Sequence, residues 1–338
     1  MSKDRFLYKE TDLLGKGTYA SVYSAMDTEG ALGRVALKRI EFDHSVEGCP
    51  LLLLREVGLL SRFKHPNIVP IVSLHYSPTD GVALIAFELL HCDLRQYLNR
   101  TGPIKGKALC EAASQLSSGL DFLHSHGVIH RDLKPQNVLV KASESGKLTI
   151  KIGDFGLART YTPKLGKYTK EVMTLWYRCP ELLLGGSLYG PAGDCWGLGC
   201  LIGEMGSGNA MFSGECEIAV LFRIFKTLGT PNDKLWKGVS ALEHFSSKFP
   251  KWTVSEADRR DTFFDLVDGA LETPKDRIKR LSGESGLSRN SGRLTQYSKI
   301  LVDVIDGIFQ YVPGDRWSAK EVGLRLDGVT SPRHIVRE

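Results

Sequence analysis

The chain has 338 residues, of which 42% are hydrophobic and 25% are charged, and its formal net charge is +5. This length suits one or two packed lobes, and the composition excludes an intrinsically disordered chain. The positive charge is small and spread along the sequence, so no direct nucleic-acid partner is predicted. The seven cysteines are odd in number and form no CxxC pair, which argues against a disulfide framework and a zinc site and favours a reducing, intracellular compartment.

The sequence predicts no membrane segment. The first ten residues, MSKDRFLYKE, lack the apolar region of a signal peptide. No run approaches the ~18 uninterrupted apolar residues that a membrane helix requires. We therefore expect a soluble protein.

In residues 6–40, apolar and polar residues alternate and glycines interrupt the runs, a pattern typical of antiparallel strands joined by turns. The pattern predicts a strand ending near Leu14, a turn at 15–17, a return strand through 22–23 and a third strand over 35–38. The two glycines of the turn would let backbone amides approach a phosphate. In isolation this GxGxxA match is better explained by an ordinary hairpin turn. It fits neither a Walker A motif nor a Rossmann turn, because no GK[ST] follows and no helix follows directly.

A charged pair is predicted between Lys38, at the end of the third strand, and Glu56. The segment 50–63 is predicted to be a helix that opens at Pro50. A single lysine at the end of a strand would usually extend its charged group to solvent. Pairing with Glu56 would instead hold Lys38 on the α- and β-phosphates of a nucleotide. The four leucines at 51–54 cannot all face one core, since successive helical residues rotate by about 100°. At least one is expected to form an apolar docking patch, unless a neighbouring loop covers it.

Two further strands are predicted over 68–74 and 82–87, followed by a break at 88–93 that is typical of a hinge between lobes. Small-molecule sites tend to lie in such crevices, and the backbone near Glu88 and Leu90 could hydrogen-bond an adenine. The apolar residues between 105 and 126 recur in steps of four and three, which predicts an amphipathic helix.

The helix leads into HRDLKPQNVLVKASESGKLTIKIGDFG, residues 130–156. Asp132 is suited to accept or orient the proton of a hydroxyl nucleophile, as an exposed and ionised carboxylate. Lys134 could neutralise charge on a γ-phosphate, and Asn137 and Asp154 supply oxygen ligands for divalent metal. A lone aspartate is normally a turn or cap residue. The combination is what is hard to obtain by chance: GxGxxA, VALK, a helical glutamate, HRDLKPQN and DFG occur in one order.

On these motifs the chain resembles a eukaryotic protein kinase over nearly its whole length, and within that superfamily it is similar to the cyclin-dependent kinases of the CMGC group. The segments that carry the closer resemblance are GKGTYASVY (15–23), EGCPLLLLRE (47–56), HPNIV (65–69), HRDLKPQN (130–137), DFGLAR (154–159), YTKEVMTLWYR (168–178) and FRIFKTLGTPNDKLW (222–236).

The resemblance implies an α+β, bilobal kinase fold over residues 1–326. It has a small β-rich N-lobe with one key helix over 1–88 and a larger, mostly helical C-lobe over 89–326. The stretch 270–294 departs from the family pattern and is predicted to be an exposed insertion or flexible loop. Residues 327–338 are predicted to be a loosely ordered C-terminal tail, with Ser331-Pro332 within it.

ATP and Mg2+ are implied as cosubstrates, with Asn137 and Asp154 as metal ligands and Asp132, Lys134, Lys38 and Glu56 as catalytic residues. The KPQN that follows HRD supports serine or threonine as acceptor, and Arg178 matches the segment that favours proline after it. The nucleotide-binding residues implied are Gly15, Lys16, Gly17, Thr18, Tyr19, Val22, Ala36, Lys38, Phe87, Glu88, Leu90, Asp93, Gln136, Asn137, Leu139 and Asp154.

The resemblance also implies regulation. Thr169 aligns with the activating threonine, whose phosphate would be bound by Arg55, Arg131 and Arg159. Two further positions, Thr18 and Tyr19, match inhibitory phosphosites. A cyclin is implied as the partner of helix 50–56, and a monomer is expected without it. Protein substrates with Ser/Thr-Pro sites complete the expected partners.

Two structural contacts are implied as well. Asp194 is expected to hold the backbone of the HRD turn, and Arg316 is expected to pair with Glu181. The sequence departs from the family at three places. Ala20 replaces the third glycine of the loop, Cys179 replaces the usual alanine before Pro-Glu, and PLLLLRE replaces the more familiar PSTAIRE. The last change leaves the identity of the cyclin open, and the reactivity of Cys179 depends on its exposure and pKa.

The main hypothesis is a cyclin-activated serine/threonine kinase in the nucleus, the cytoplasm or both, with a role in cell-cycle timing or transcription. The alternatives are a related mitogen-activated or glycogen-synthase-type kinase that needs no cyclin, and a pseudokinase scaffold that transfers no phosphate.

Overall fold

The computed structural model of the chain describes residues 8–16, 20–28, 33–42, 57–58, 61, 63–77, 80–160, 175–186, 189–268 and 295–330. Several predicted features lie outside the described residues: Gly17, Thr18, Tyr19, the segment 50–56 with Arg55 and Glu56, Thr169, the insertion 270–294 and the residues after 330.

The N-terminal part is a five-stranded antiparallel sheet of order β1-β2-β3-β5-β4. Its strands are β1 (Tyr8–Lys16), β2 (Ala20–Asp27), β3 (Arg34–Glu41), β4 (Ile71–Ser77) and β5 (Val82–Glu88). β-branched and aliphatic residues alternate along β3, so Val35 and Leu37 are buried on one face while Lys38 lies on the other. The predicted order of β1, β2 and β3 and the strand 82–87 are confirmed. The turn predicted at 15–17 begins too early, because Gly15 and Lys16 still belong to β1 and pair with Val22 and Ser21.

The prediction of a strand over 68–74 is wrong in its boundaries, because β4 covers Ile71–Ser77. Ile68 instead forms an isolated parallel bridge with Ile152, and the Val69 N–H donates to the Ile152 carbonyl at 2.9 Å. Pro70 separates the two pairings, since it has no N–H to continue a ladder. The HPNIV segment therefore joins the C-terminal part of the protein before the sheet strand begins.

The C-terminal part is mainly helical. Its helices in the described residues are α1 (Leu94–Thr101), α2 (Gly106–Ser125), α3 (Pro180–Leu183), α4 (Pro191–Ser207), α5 (Glu217–Leu228), α6 (Glu256–Val267), α7 (Gln296–Ile308) and α8 (Ala319–Thr330). Its short strands are β6 (Cys92–Asp93), β7 (Val128–Ile129), β8 (Val138–Ala142), β9 (Leu148–Ile152) and β10 (Arg159–Thr160), paired as β6-β8-β9 and β10-β7. This division into a β-rich N-terminal part and a helical C-terminal part confirms the predicted α+β class.

Helix α4 forms the centre of the helical core. Almost all of its residues are buried, including Trp196, as expected for a helix that is apolar all round. Its glycines allow helices α6 and α7 to pack closely against it. A Cβ at Gly199 would lie 2.6 Å from Ile308 on α7, and one at Gly206 would lie 2.7 Å from the carbonyl oxygen of Leu266 on α6. The predicted amphipathic helix is α2, and the repeating apolar residues on which it was predicted are all buried, namely Leu109, Ala113, Leu116, Leu120 and Leu123.

The C-terminal helix extends beyond the predicted end of the domain at 326. Helix α8 continues to Thr330, and the hydroxyl of Ser114 on α2 donates to Asp327 at 2.7 Å. This bond and the burial of Leu326 hold the last turn against α2. Within the described residues, none of the helices combines the length and apolar character needed to cross a bilayer.

Candidate active site

One face of the N-terminal sheet carries the side chains predicted to cover a nucleotide. Val22 lies opposite Lys38, and Ala36 lies opposite Phe87. Directly opposed residues in antiparallel strands project from the same face, so these four side chains share one side of the sheet. The ammonium group of Lys38 reaches the carboxylate of Asp154, with Nζ to Oδ1 at 3.3 Å. This face of the sheet therefore looks onto the catalytic stretch.

The predicted hinge, residues 88–93, joins the N-terminal sheet to strand β8 by backbone contacts. The His91 N–H donates to the Val140 carbonyl at 3.0 Å, and Asp93 pairs with Leu139 in the β6–β8 ladder. Asp93 also caps α1, because its Oδ1 accepts the N–H of Gln96 at 2.7 Å. Leu90 as a whole is buried, and the adenine contact expected of its backbone stays a prediction.

A partly buried ion pair ties the hinge to β9. Lys151 Nζ lies 2.6 Å from Glu88 Oε2, with side chains 14% and 33% exposed. Lys151 belongs to the strand that ends just before Gly153 and Asp154. The pair thus connects the predicted adenine-binding backbone with the segment that carries a metal-binding residue.

Replacing Lys151 with Met is expected to raise the KM for ATP about fivefold, the effect of roughly 1 kcal/mol, with little change in kcat. The reason is that the hinge backbone loses its electrostatic tie to β9, whereas the acceptor-facing groups keep their contacts. Steady-state kinetics with varied ATP measures the effect. Lys147→Met is the matched control, since Lys147 is exposed in the same hairpin. A KM for ATP equal to that of the wild type would show that the pair serves stability alone.

The turn over residues 130–132 is held by one buried carboxylate on α4. Asp194 accepts the N–H groups of His130 and Arg131 at 2.7 and 2.8 Å. It also accepts the Tyr189 hydroxyl at 2.7 Å and lies 3.0 Å from His124 Nε2. Arg131 has a φ of 70°, an unfavourable backbone conformation for a residue with a Cβ. The expected role of Asp194 in holding the HRD backbone is confirmed.

Asp194 remains a good acceptor despite its complete burial. Burial acts to raise its pKa, but hydrogen bonding and charge from His124, together with the Tyr189 hydroxyl, lower the pKa below its usual value. Buried carboxylates tolerate low dielectric only when donors surround the charged form. Asp194 meets that condition, so it can hold the turn as a charged acceptor.

His130 connects this turn to the DFG segment. Its ring is fully buried, and Nε2 lies 2.9 Å from the Gly153 carbonyl oxygen, which can only accept. The Nε2 atom must therefore carry the proton, which leaves Nδ1 to accept the N–H of Asp132 at 3.3 Å. One imidazole thus spans the two segments that bear Asp132 and Asp154.

Asp132 is less accessible than the sequence predicted. It was expected to be exposed, but only 8% of the residue is accessible. Lys134 Nζ lies 2.6 Å from its Oδ2, and the amide nitrogen of Asn137 donates to the same atom at 2.9 Å. These contacts cover one oxygen of the carboxylate and fix its orientation. Asp132, Lys134 and Asn137 therefore lie in direct contact, and the separate roles predicted for them stay predictions.

Asn137 and Asp154 form a donor set that suits a divalent cation. The Asn137 amide nitrogen makes both of its hydrogen bonds to Asp132, so the amide oxygen is the atom left for a metal. The Gly153 N–H donates to the backbone carbonyl of Asn137 at 2.8 Å, which places the two ligand-bearing segments side by side. Oxygen donors of this kind match the preference of Mg2+.

The Asp154 carboxylate is half exposed and its backbone φ is 54°. Burial acts to raise its pKa, but the charge of Lys38, together with hydrogen bonds from Lys38 and from the Gly156 backbone, lowers the pKa below its usual value. A metal ligand must be deprotonated. The surroundings of Asp154 therefore favour the form that binds cations.

Two of the three arginines predicted to bind a phosphate lie in neighbouring segments. Arg159 on β10 pairs with Ile129 on β7, two residues before Arg131. The guanidinium of Arg131 lies 6.0 Å from the centroid of the Tyr189 ring. Arg55 and Thr169 lie outside the described residues, so the complete pocket stays a prediction.

Cys179 is a buried structural thiol. It is 1% exposed, and burial, reinforced by the charge of Glu181, raises its pKa well above the usual value. A thiol in this state does not form the reactive thiolate. The departure from alanine therefore changes packing beside Glu181 and adds no nucleophile.

Sequence reasoning missed three kinds of contributing residue. Leu14 lies at an irregular step of the β1–β2 ladder and is 46% exposed beside the glycine turn, as an apolar side chain that a ligand could cover. Lys151 was missed because its partner is distant in sequence. Asn67 and Gln115 were also missed, and both hydrogen-bond the backbone of β9. The available signal for Gln115 was a polar residue on the inner side of the amphipathic helix α2.

Comparison with known proteins agrees with this geometry. Residues 8–323 match the model of the protein kinase domain family. Over 256 residues the chain is 45% identical to Cell division control protein 2 homolog 3 of Trypanosoma brucei brucei, an alignment that covers 74% of this chain and 80% of that protein. The chain therefore belongs to the protein kinase family and is a serine/threonine kinase of the cyclin-dependent type, which uses ATP with a divalent metal.

Proposed function

We propose that the protein is a cyclin-activated kinase that transfers the γ-phosphate of Mg-ATP to serine or threonine followed by proline. The observation that carries the proposal is the catalytic turn: Asp194 fixes its backbone, and Lys134 and Asn137 orient the Asp132 carboxylate. Such preorganisation is the main contribution that a protein makes to phosphoryl transfer.

In the proposed reaction the acceptor hydroxyl oxygen attacks the γ-phosphorus. The bond to the β–γ bridging oxygen breaks and ADP leaves. Asp132 orients the hydroxyl and accepts its proton, while Lys134 lies where it can neutralise charge on the transferred group. Lys38 is delivered to the same region by β3. Bound Mg2+ would be held by Asn137 and Asp154 and would neutralise charge on the phosphate oxygens.

The choice of acceptor is supported by the segment after the activation loop. Arg178 Nη1 lies 2.6 Å from Glu217 Oε1 at the first turn of α5. This ion pair fixes the arginine that, by family resemblance, favours a proline after the acceptor. We propose Ser-Pro and Thr-Pro sites in proteins as the substrates.

Partner dependence is proposed from the resemblance. In this family the helix bearing Glu56 must rotate inward before the glutamate engages Lys38, and a cyclin bound to the 50–56 segment supplies that bias. The name of the Trypanosoma relative refers to cell division, which favours a cell-cycle role for this chain over a transcriptional one. We further propose activation by phosphorylation of Thr169, inhibition at Thr18 and Tyr19, and location in the nucleus, the cytoplasm or both.

Partner dependence is tested by assaying the recombinant chain with a Ser-Pro peptide and Mg-ATP, alone and with candidate cyclins. We expect a cyclin to raise kcat/KM by about 10- to 100-fold, the range of ordinary coupling energies. Leu53→Asp, within the predicted partner segment, should abolish this gain. Leu235→Asp is the matched control, because Leu235 is an exposed leucine of the C-terminal part. High activity of the unphosphorylated monomer that no cyclin changes would refute partner dependence.

A further inference from the structure

The outer edge of β9 is satisfied by side chains instead of a neighbouring strand. β9 pairs with β8 on one side and is the edge strand of its three-stranded sheet. The backbone groups of Leu148, Ile150 and Ile152 point away from β8. Buried backbone polar groups need partners, and here the partners come from α2 and from the segment 67–69.

Gln115 on α2 supplies both a donor and an acceptor to this edge. Its Nε2 donates to the Leu148 carbonyl at 3.0 Å, and its Oε1 accepts the Ile150 N–H at 2.9 Å. A primary amide that bonds a strand in this way has the donor and acceptor pattern of a peptide group. Gln115 thus acts as one residue of the missing strand.

Asn67 continues the same edge. Its Nδ2 donates to the Ile150 carbonyl at 2.8 Å and its backbone carbonyl accepts the Ile152 N–H at 2.9 Å. Asn67 Nδ2 also lies 3.2 Å from Gln115 Oε1, so the two amides are joined. Together with the Val69 N–H, they account for the outward groups of β9 from the Leu148 carbonyl to the Ile152 carbonyl.

The helix can reach β9 because Gly119 lies one turn after Gln115 on the same face. A Cβ at this position would lie 2.8 Å from the Asn67 carbonyl oxygen and 3.2 Å from Ile152 Cδ1. The close approach of α2 is therefore built into the sequence, and it brings the Gln115 amide within hydrogen-bonding distance of the strand.

β9 leads directly to the metal-binding segment. Only Gly153 separates Ile152 from Asp154, and Gly153 is held on both sides, by the Asn137 backbone carbonyl and by His130 Nε2. Asp154 has a left-handed backbone conformation that needs such external support. We propose that Gln115 is a positioning residue that, with Asn67, fixes β9 and thereby the orientation of Asp154 towards a divalent cation. This inference rests on the proposed metal-binding role of Asp154.

The test compares three variants of the full chain. Gln115→Met keeps the length of the side chain and removes both hydrogen bonds, and Gln115→Glu keeps the acceptor for Ile150 but places a carboxylate against the Leu148 carbonyl. Ser114→Ala is the matched control, because it removes a bond from the adjacent residue of α2 to Asp327 and does not touch β9.

Two measurements are made. In the metal-free chain, amide hydrogen exchange is followed at Ile150 and Gly153. In the presence of a non-hydrolysable ATP analogue, Mn2+ binding is followed by its electron paramagnetic resonance signal. We expect Gln115→Met to accelerate exchange at both amides and to weaken Mn2+ binding about tenfold. Gln115→Glu should weaken binding by a smaller factor, and Ser114→Ala should bind Mn2+ as the wild type does.

The outcomes separate this inference from the proposed function. If the wild type with the ATP analogue binds no Mn2+, the proposed metal site fails and this inference falls with it. If the wild type binds Mn2+ and Gln115→Met binds it equally well while its Ile150 amide exchanges faster, Gln115 only supports β9 locally and the inference is overturned. If Gln115→Met does not fold, wild-type Mn2+ affinity in Gln115→Glu overturns it in the same way.

Discussion

Replacing Asp132 with Asn is expected to lower kcat by about 100- to 10,000-fold while the protein stays folded. Asparagine has the same shape and can still accept a hydrogen bond from Lys134 or Asn137, so the turn held by Asp194 should persist. The amide cannot take up the proton of the acceptor hydroxyl, which the carboxylate does in the proposed reaction. The loss should therefore fall on the chemical step.

The measurement is steady-state kinetics of the cyclin complex with a Ser-Pro peptide and Mg-ATP, together with thermal unfolding. The KM for ATP should change little, because Asp132 faces the acceptor. Asp261→Asn is the control, since Asp261 is an exposed aspartate on α6 and its variant should match the wild type. Equal phosphotransfer by Asp132→Asn and the wild type would mean that the catalytic assignment is wrong and would favour a role outside catalysis for the HRD turn.

The chemistry of the site could be predicted from the sequence because its residues lie in short segments of fixed order. Asp132, Lys134 and Asn137 are within six positions of one another, and the structure brings them into direct contact. Lys38 and Asp154 could each be assigned to the nucleotide site from their motifs, but their contact at 3.3 Å was not predicted, because the sequence indicated Glu56 as the partner of Lys38. Local sequence therefore carries the identity of the site residues.

The supports of the site could not be predicted in the same way, because they depend on which strand lies beside which helix. The β9 edge is completed by Gln115, whose side chain would otherwise be read as one polar residue of an amphipathic helix. The low exposure of Asp132 follows from contacts with two side chains, and a sequence motif does not report accessibility. The start of β4 was misplaced because Ile68 and Val69 are apolar in either partnership, and only Pro70 marks the change.

A large loss of stability is expected when the buried pair between Arg316 and Glu181 is broken. The guanidinium binds the carboxylate with two bonds, Nη1 to Oε1 at 2.7 Å and Nη2 to Oε2 at 2.6 Å. Arg316 also donates to the Gln310 carbonyl at 2.8 Å, and its guanidinium lies 5.1 Å from the centroid of the Trp196 ring. Burial acts to lower the pKa of Arg316, but Glu181 raises it above its usual value, so the guanidinium remains charged inside the protein.

Arg316→Leu should lower the free energy of unfolding by about 3–5 kcal/mol, because it leaves the Glu181 carboxylate buried without its partner. Urea unfolding of the full chain measures the loss. Arg325→Leu is the matched control: Arg325 also lies over a tryptophan ring, at 4.7 Å from Trp317, but it is exposed, so its loss should be below about 1 kcal/mol.

The double variant Arg316→Leu/Glu181→Leu should recover part of the loss, since it removes the uncompensated charge as well as the pair. Glu181 follows Arg178 by three residues, so the single variant should also weaken binding of the acceptor peptide by releasing the segment that carries Arg178. If the double variant is less stable than Arg316→Leu by the full cost of a second buried substitution, the contacts of Arg316 with Gln310 and Trp196 hold this region, and the ion pair with Glu181 contributes little.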